Sequence, residues 1–258
     1  RRRARGAIMS ATFADVGAER RVGPVVLDVT AFNLDAGFSS SDFLVLSDDE
    51  KQRARRFRFE RDRRRFVRGR AELRRRLAAE LGAEAAEVPF EYGANGKPGV
   101  PGAPFTFNLS HSGDLAVLAI AYGDDVQLGV DVEVPRGGDQ QLDELVARRY
   151  FAPGEIRRLF ALSADARYAA FFRCWTRKEA LLKALGGGLM LPLHDFEVTL
   201  EPAEPARIVA PSEPLARGNW EIADISAISP RSYAAVAAGT PVGAPVTINV
   251  NPGGGRQS

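Results

Sequence analysis

The hydrophobic pattern divides the chain into short alternating runs and a few long stretches of helical spacing. Val25, Leu27 and Val29 alternate with other residues and predict a first strand. Ser47 and Glu50 stand at capping-box spacing and open a helix running to about Phe59. Over residues 61–81, Phe66, Leu73, Leu77 and Leu81 form an apolar stripe, and Gly82 ends that helix. Phe90 to Tyr92 reads as a short strand, followed by the Asn95-Gly96 turn signal and Lys97-Pro98. Phe105, Phe107 and Leu109 alternate into Ser110-His111-Ser112, and Gly113-Asp114 turns the chain into a buried strand, Leu115 to Tyr122.

The second half repeats the mixture. A strand is expected over residues 126–134 and a helix over residues 140–150. Pro153 suits the first turn of another helix, with Glu155 near its positive end. A long helix to Leu185 carries Tyr168, Phe171, Phe172, Trp175 and Leu182, and Gly186, Gly187 and Gly188 stop it. Strands are expected around residues 196–200, 220–225 and 233–238. The pattern predicts an α+β fold of two similar lobes, residues 22–125 and 126–240, each a small, mainly antiparallel sheet packed on helices. Residues 1–21 and 241–258 lack periodicity and are expected to be flexible tails.

Composition narrows the class. At 258 residues, 45% hydrophobic and 26% charged, the chain has the makeup of an ordinary globular protein. Cys174 is the sole cysteine, so no internal disulfide can form and a reducing compartment is expected. No apolar segment follows Arg1-Arg2-Arg3-Ala4-Arg5, which therefore does not read as a secretion signal. The apolar run 115–122 is too short to span a bilayer, and a cytoplasmic protein is the expectation. Net charge is only +2, so any basic function depends on clustering. Such a cluster exists: thirteen arginines lie between Arg53 and Arg76, opposed by Glu60, Asp62 and Glu72. It reads as a solvated helix face, a nucleic-acid surface interleaved with Phe57, Phe59 and Phe66, or a source of clamps for ligand phosphates.

Two short stretches carry the chemistry. In Gly129-Val130-Asp131-Val132-Glu133-Val134 the strand period puts Asp131 and Glu133 on one face and the valines on the other. Such a strand is either one with a wet face or a rigid mount for two carboxylates that hold a hard cation, of which Mg²⁺ is the natural choice. In Trp175-Thr176-Arg177-Lys178-Glu179-Ala180-Leu181-Leu182-Lys183, Glu179 and Lys183 are four apart on one helix face. Alone this is an ordinary surface pair contributing ~0.2–0.5 kcal/mol; beside the strand, Glu179 supplies a third carboxylate. Zinc is disfavoured, because one cysteine and the separated His111 and His194 give no ligand spacing. Ser110 and His111 are adjacent in a strand and point apart, so they are not a nucleophile couple; His111 reads as a turn histidine or a donor to an anion.

In order along the chain, these stretches resemble the 4′-phosphopantetheinyl transferases, in particular the larger, surfactin-synthetase-activating type. The resemblance spans residues 45–240. It includes Arg55-Arg56-Phe57, Arg64-Arg65, Gly96-Lys97-Pro98, Phe107-Asn108-Leu109-Ser110-His111-Ser112, Arg149-Tyr150-Phe151 with Glu155, and Gly186-Gly187-Gly188-Leu189 leading to Leu193 and Phe196. It implies transfer of the phosphopantetheine arm of coenzyme A to a serine of an apo acyl or peptidyl carrier protein, with release of adenosine 3′,5′-bisphosphate. It further implies Mg²⁺, or Mn²⁺ in its place, held by Asp131, Glu133 and Glu179. Glu179 is expected as the base and Lys183 as the partner of the leaving group. Arg56, Arg65, Lys97, Ser110, His111, Lys178 and Lys183 are expected to bind coenzyme A. A monomer with neither nucleic-acid nor membrane partners is expected. The rival readings are a nucleic-acid-binding module using the arginine segment and a non-catalytic carrier-protein-binding homologue.

Overall fold

The alternating runs and helical stripes stack as helix, sheet, sheet and helix in a computed structural model of the chain. It describes residues 26–240, apart from 94, 124, 136, 138–139, 187–190 and 202, together with residues 248–252. The chain opens with β1 (Val26–Asn33), α1 (Ser40–Leu44), α2 (Asp48–Arg55) and α3 (Glu60–Leu81). A small hairpin, β2 (Glu91–Tyr92) and β3 (Pro98–Gly99), precedes a long one, β4 (Phe105–Ser112) and β5 (Leu115–Tyr122). Then come β6 (Gln127–Glu133), α4 (Gln140–Tyr150), α5 (Pro153–Ala161) and α6 (Ala164–Ala184). β7 (Glu197–Val198), β8 (Ile208–Ala210), α7 (Glu213–Ala216), β9 (Asn219–Asp224), β10 (Tyr233–Thr240) and β11 (Asn249–Pro252) follow.

One sheet runs β11-β1-β5-β4 and the other β6-β10-β9. All their pairings are antiparallel except β1 with β11. Period-two alternation gives each sheet two apolar faces. Leu73 and Leu77 of α3 pack on Phe105, Phe107, Leu118 and Ile120 on one side of the first sheet. Leu27, Val29, Val117, Ala119 and Ala121 on its other side share a core with Leu128, Val130, Val132, Val236 and Ala238 of the second sheet. The far face of that second sheet, through Ile222, Ala235 and Ala237, takes Ala180, Leu181 and Ala184 of α6.

Between the sheets, polar side chains of β4 meet the edge of β6 that is not paired with β10. Asn108 Oδ1 accepts the Val130 N–H (2.8 Å) and Ser112 Oγ accepts the Val134 N–H (3.1 Å). Edge donors buried at a seam would otherwise be costly, so these two side chains fix the position of β4 against β6.

Several boundaries differ from expectation. The helix expected to reach Phe59 ends at Arg55, with Arg56 as its cap, and α3 begins only at Glu60. The break lets Phe57 turn inward onto Phe66 (5.2 Å between ring centroids) while α2 and α3 are joined by Glu50, gripped by Arg70 and Arg74. The flexible tail expected over residues 241–258 is corrected at residues 249–252, which form β11: the free edge of β1 offers backbone partners from Val26 to Val29. The rest of that tail, the tail at residues 1–21, Val25, and Gly187 to Leu189 lie outside the described residues.

Candidate active site

The site begins with the closeness of β6 to α6. A Cβ on Gly129 would stand 2.0 Å from the Ala180 carbonyl oxygen and 2.3 Å from the Ala184 nitrogen. Only glycine permits this approach without moving the backbone, and the next residue on the same face of β6 is Asp131. Asp131 is buried. Its Oδ1 takes Lys183 Nζ at 2.6 Å and the Ser110 hydroxyl at 3.1 Å, and Lys183 Nζ also donates to Ser110 Oγ at 2.9 Å. Strand β4, strand β6 and helix α6 thus meet at one carboxylate.

Glu133, two residues along, accepts the Ser112 hydroxyl at 2.8 Å. Glu179, one turn before Lys183, has its carboxyl pushed up, first by burial and then by the negative charge of Asp131. Lys183 opposes that shift, and Glu133 adds to it. Glu179 therefore feels the negative charges of both strand carboxylates. Among the described residues no three His, Cys, Asp or Glu side chains are drawn into a ready-made metal cage. The donor set nonetheless suits a hard divalent ion. It offers carboxylate oxygens, and Asp131 Oδ2 is buried without a hydrogen-bond partner.

Cations line the same region. The imidazole of His111, which water reaches, is pushed below its ordinary value by the crowding of the protein around it and then by the charges of Lys183 and Arg65. Arg65 is held by Asp35, with Nε to Oδ1 at 2.7 Å and Nη2 to Oδ2 at 2.5 Å. Sequence reasoning missed Asp35, which lies 30 residues from Arg65 in a turn without a motif.

Other expected ligand residues stand apart from this group. Lys97 Nζ donates to the carbonyls of Leu128 (2.7 Å) and Lys183 (2.8 Å), tying the β2–β3 hairpin to β6 and the end of α6. Burial lowers it to about 8. Arg56 is exposed at the end of α2. Lys178 is a correction. It is fully buried, and its Nζ donates to the carbonyls of Leu193 (2.7 Å) and Phe196 (2.6 Å) and pairs with Glu155 at 2.8 Å, so no donor is left for a ligand. A sequence signal existed: Phe171, Cys174, Lys178 and Leu181 share one helical stripe, the one facing the core.

Many arginines of the segment are paired with carboxylates, several of them sharing one acid. Arg63 and Arg64 pair with Glu60, Arg76 with Glu72, Arg68 and Arg75 with the buried Asp42, and Arg70 and Arg74 with Glu50. Asp42 and Glu50 lie outside the run, so the sequence showed only Glu60, Asp62 and Glu72 opposing it.

Comparison with known proteins identifies the family of the chain. Residues 127–237 match the model of the 4′-phosphopantetheinyl transferase superfamily, and residues 39–122 match that of the N-terminal part of a 4′-phosphopantetheinyl transferase. The chain is 43% identical over 169 residues to the 4′-phosphopantetheinyl transferase HetI of Nostoc sp., covering 64% of this chain and 69% of that one. It is 33% identical over 169 residues to a 4′-phosphopantetheinyl transferase of Bacillus subtilis (65% and 72%). It is 30% identical over 156 residues to the 4′-phosphopantetheinyl transferase Sfp of Bacillus subtilis strain 168 (60% and 66%). With its strand carboxylates and helix Glu–Lys pair inside the matched region, this chain belongs to the 4′-phosphopantetheinyl transferase superfamily.

Proposed function

We propose that this chain moves the 4′-phosphopantetheine arm of coenzyme A onto a serine hydroxyl of an apo acyl or peptidyl carrier protein, with Mg²⁺ as the metal. The observation that carries the reading is the contact of Lys183 on α6 with Asp131 on β6 and Ser110 on β4, with Glu179 one turn before Lys183 and Glu133 two residues along β6 from Asp131. Three carboxylates against a few cations suit a diphosphate ester taken up with a divalent ion.

Asp131, Glu133 and Glu179 would hold the metal, which when bound would neutralise charge on the diphosphate under attack. Glu179 takes the serine proton. The serine oxygen then forms a bond to the phosphorus bearing the pantetheine arm as the diphosphate P–O bond breaks. Lys183, already between Ser110 and Asp131, balances the charge on the departing adenosine 3′,5′-bisphosphate. His111 and Arg65 bind nucleotide phosphate, and Ser110 orients Lys183.

Residues 22–125 and 126–240 are read as the two lobes of a monomeric, cytoplasmic enzyme, with the seam between β4 and β6 as their meeting line. No helix among the described residues is long and apolar enough to cross a membrane. The test is incubation with coenzyme A, Mg²⁺ and an apo carrier protein, followed by intact mass. The carrier should gain the arm. Absence of the adduct across fatty-acid, polyketide and peptide-synthetase carriers would overturn the reading.

A further inference from the structure

Arg65 reaches the region of His111 under the control of a turn that no motif marks. Its guanidinium meets Asp35 fork to fork, at 2.7 and 2.5 Å. The turn holding Asp35 is itself braced. Asn33 Oδ1 accepts the backbone N–H groups of Asp35 (2.7 Å) and Ala36 (3.1 Å). Asn33 Nδ2 donates to Asp114 Oδ2 (3.2 Å), and the Leu34 N–H donates to the Asp114 carbonyl (2.7 Å), in the turn between β4 and β5. From beyond the second sheet, Arg231 Nη2 donates to the same Asp114 oxygen at 3.2 Å. A series of contacts thus runs from the loop before β10, across the β4–β5 turn, to the side chain of Arg65.

An ion pair whose carboxylate is 46% exposed adds little to stability, so its geometric constraint is the more telling feature. A bidentate carboxylate fixes the plane of a guanidinium that would otherwise sample many rotamers. It uses two of the five N–H donors and leaves three in a set direction. His111 feels the Arg65 charge. An oriented fork loses less freedom when a phosphate arrives.

We propose that Asp35, braced by Asn33 and Asp114, is a positioning residue that presents Arg65 to a phosphate of the nucleotide part of coenzyme A. The identity of the ligand rests on the transferase reading; the coupling between Asp35 and Arg65 does not. The opposing effect is electrostatic. Asp35 also reduces the positive charge offered to the phosphate, and the experiment decides between orientation and charge.

The experiment compares wild type, Asp35→Ala, Asp35→Asn, Asp35→Glu, Arg65→Ala and the Asp35→Ala/Arg65→Ala double variant. Coenzyme A is titrated by calorimetry, and arm transfer is followed for KM and kcat. Asp35→Ala and Asp35→Asn should weaken coenzyme A binding and raise its KM roughly threefold to tenfold with kcat unchanged. Asp35→Glu should recover part of the loss, and the double variant should be no worse than Arg65→Ala alone. Losses that add in the double variant, tighter binding by Asp35→Ala, or a fall in kcat alone would each overturn the positioning role. A wild type that binds coenzyme A without transferring the arm would sink the transferase reading and leave this coupling measurable. A wild type that does not bind coenzyme A would overturn both.

Discussion

Lys183 Nζ lies 2.6 Å from Asp131 Oδ1, joining the last turn of α6 to the middle of β6. The contact brings a helix ammonium to a strand carboxylate 52 residues away, with Ser110 of a third element bonded to both. It is the point at which the two halves of the proposed chemistry, metal holding and leaving-group charge, share one carboxylate.

Asp131→Asn keeps the shape of the side chain and removes its charge. Arm transfer should fall by at least about 100-fold while the circular dichroism spectrum stays that of wild type. Mg²⁺ should raise the melting temperature of wild type and leave that of the variant unchanged. Retained turnover in Asp131→Asn would remove this carboxylate from the metal set.

Lys183→Ala tests leaving-group stabilisation. The expected result is a kcat lowered by about 100-fold with a much smaller change in KM for coenzyme A, since the interaction should strengthen as charge develops. A change confined to KM would make Lys183 a recognition residue.

Gly129→Ala tests the packing beneath the site. The added methyl has no room against Ala180 and Ala184, so β6 and α6 must separate. Overpacking of this kind costs about 1–3 kcal/mol, seen as a lowered midpoint in urea, and activity should fall by more than stability alone explains. An unchanged midpoint would mean that the strand and helix are less tightly apposed.

The pH dependence of stability follows from Glu179. Its carboxyl is raised, first by burial and then by Asp131, above the ordinary 4.5, so it holds its proton more tightly folded than unfolded. Its ionisation therefore opposes folding as pH rises from about 4.5 through the folded-state value. Without metal, Glu179→Gln should be more stable than wild type at neutral pH, with the difference closing as pH falls toward 4.5. Parallel stability curves across that range would show that Glu179 is an ordinary surface carboxylate.

Lys178→Met should behave as a folding lesion. Removing one member of the buried Glu155–Lys178 pair leaves an uncompensated carboxyl and should cost about 3–5 kcal/mol in chemical denaturation. A Glu155→Leu/Lys178→Met double variant should recover part of that loss. Selective loss of coenzyme A binding in a Lys178→Met variant of wild-type stability would return this lysine to the ligand site.

The sequence alone determined the longer elements around the site and the spacing of the candidate residues on them. Period-two alternation marked β4 and β6, an apolar run marked β5, the Ser47–Glu50 spacing opened α2, glycine ended α3 and α6, and the strand and helix rules paired Asp131 with Glu133 and Glu179 with Lys183. These are local facts, written in spacings of two and four residues, and local backbone geometry enforces them wherever the elements form. What only the tertiary structure decided depends on contacts between distant segments. The side of α6 that meets β6 separates Lys183 from Lys178, five residues apart on the same helix, sending one to Asp131 and the other to Glu155. The fold also brought Asp42 and Glu50 from elsewhere onto Arg68, Arg75, Arg70 and Arg74, and it chose Asp35 as the partner of Arg65. Charge pairing acts over a few ångströms of space with no regard for chain separation, so residue spacing cannot report it.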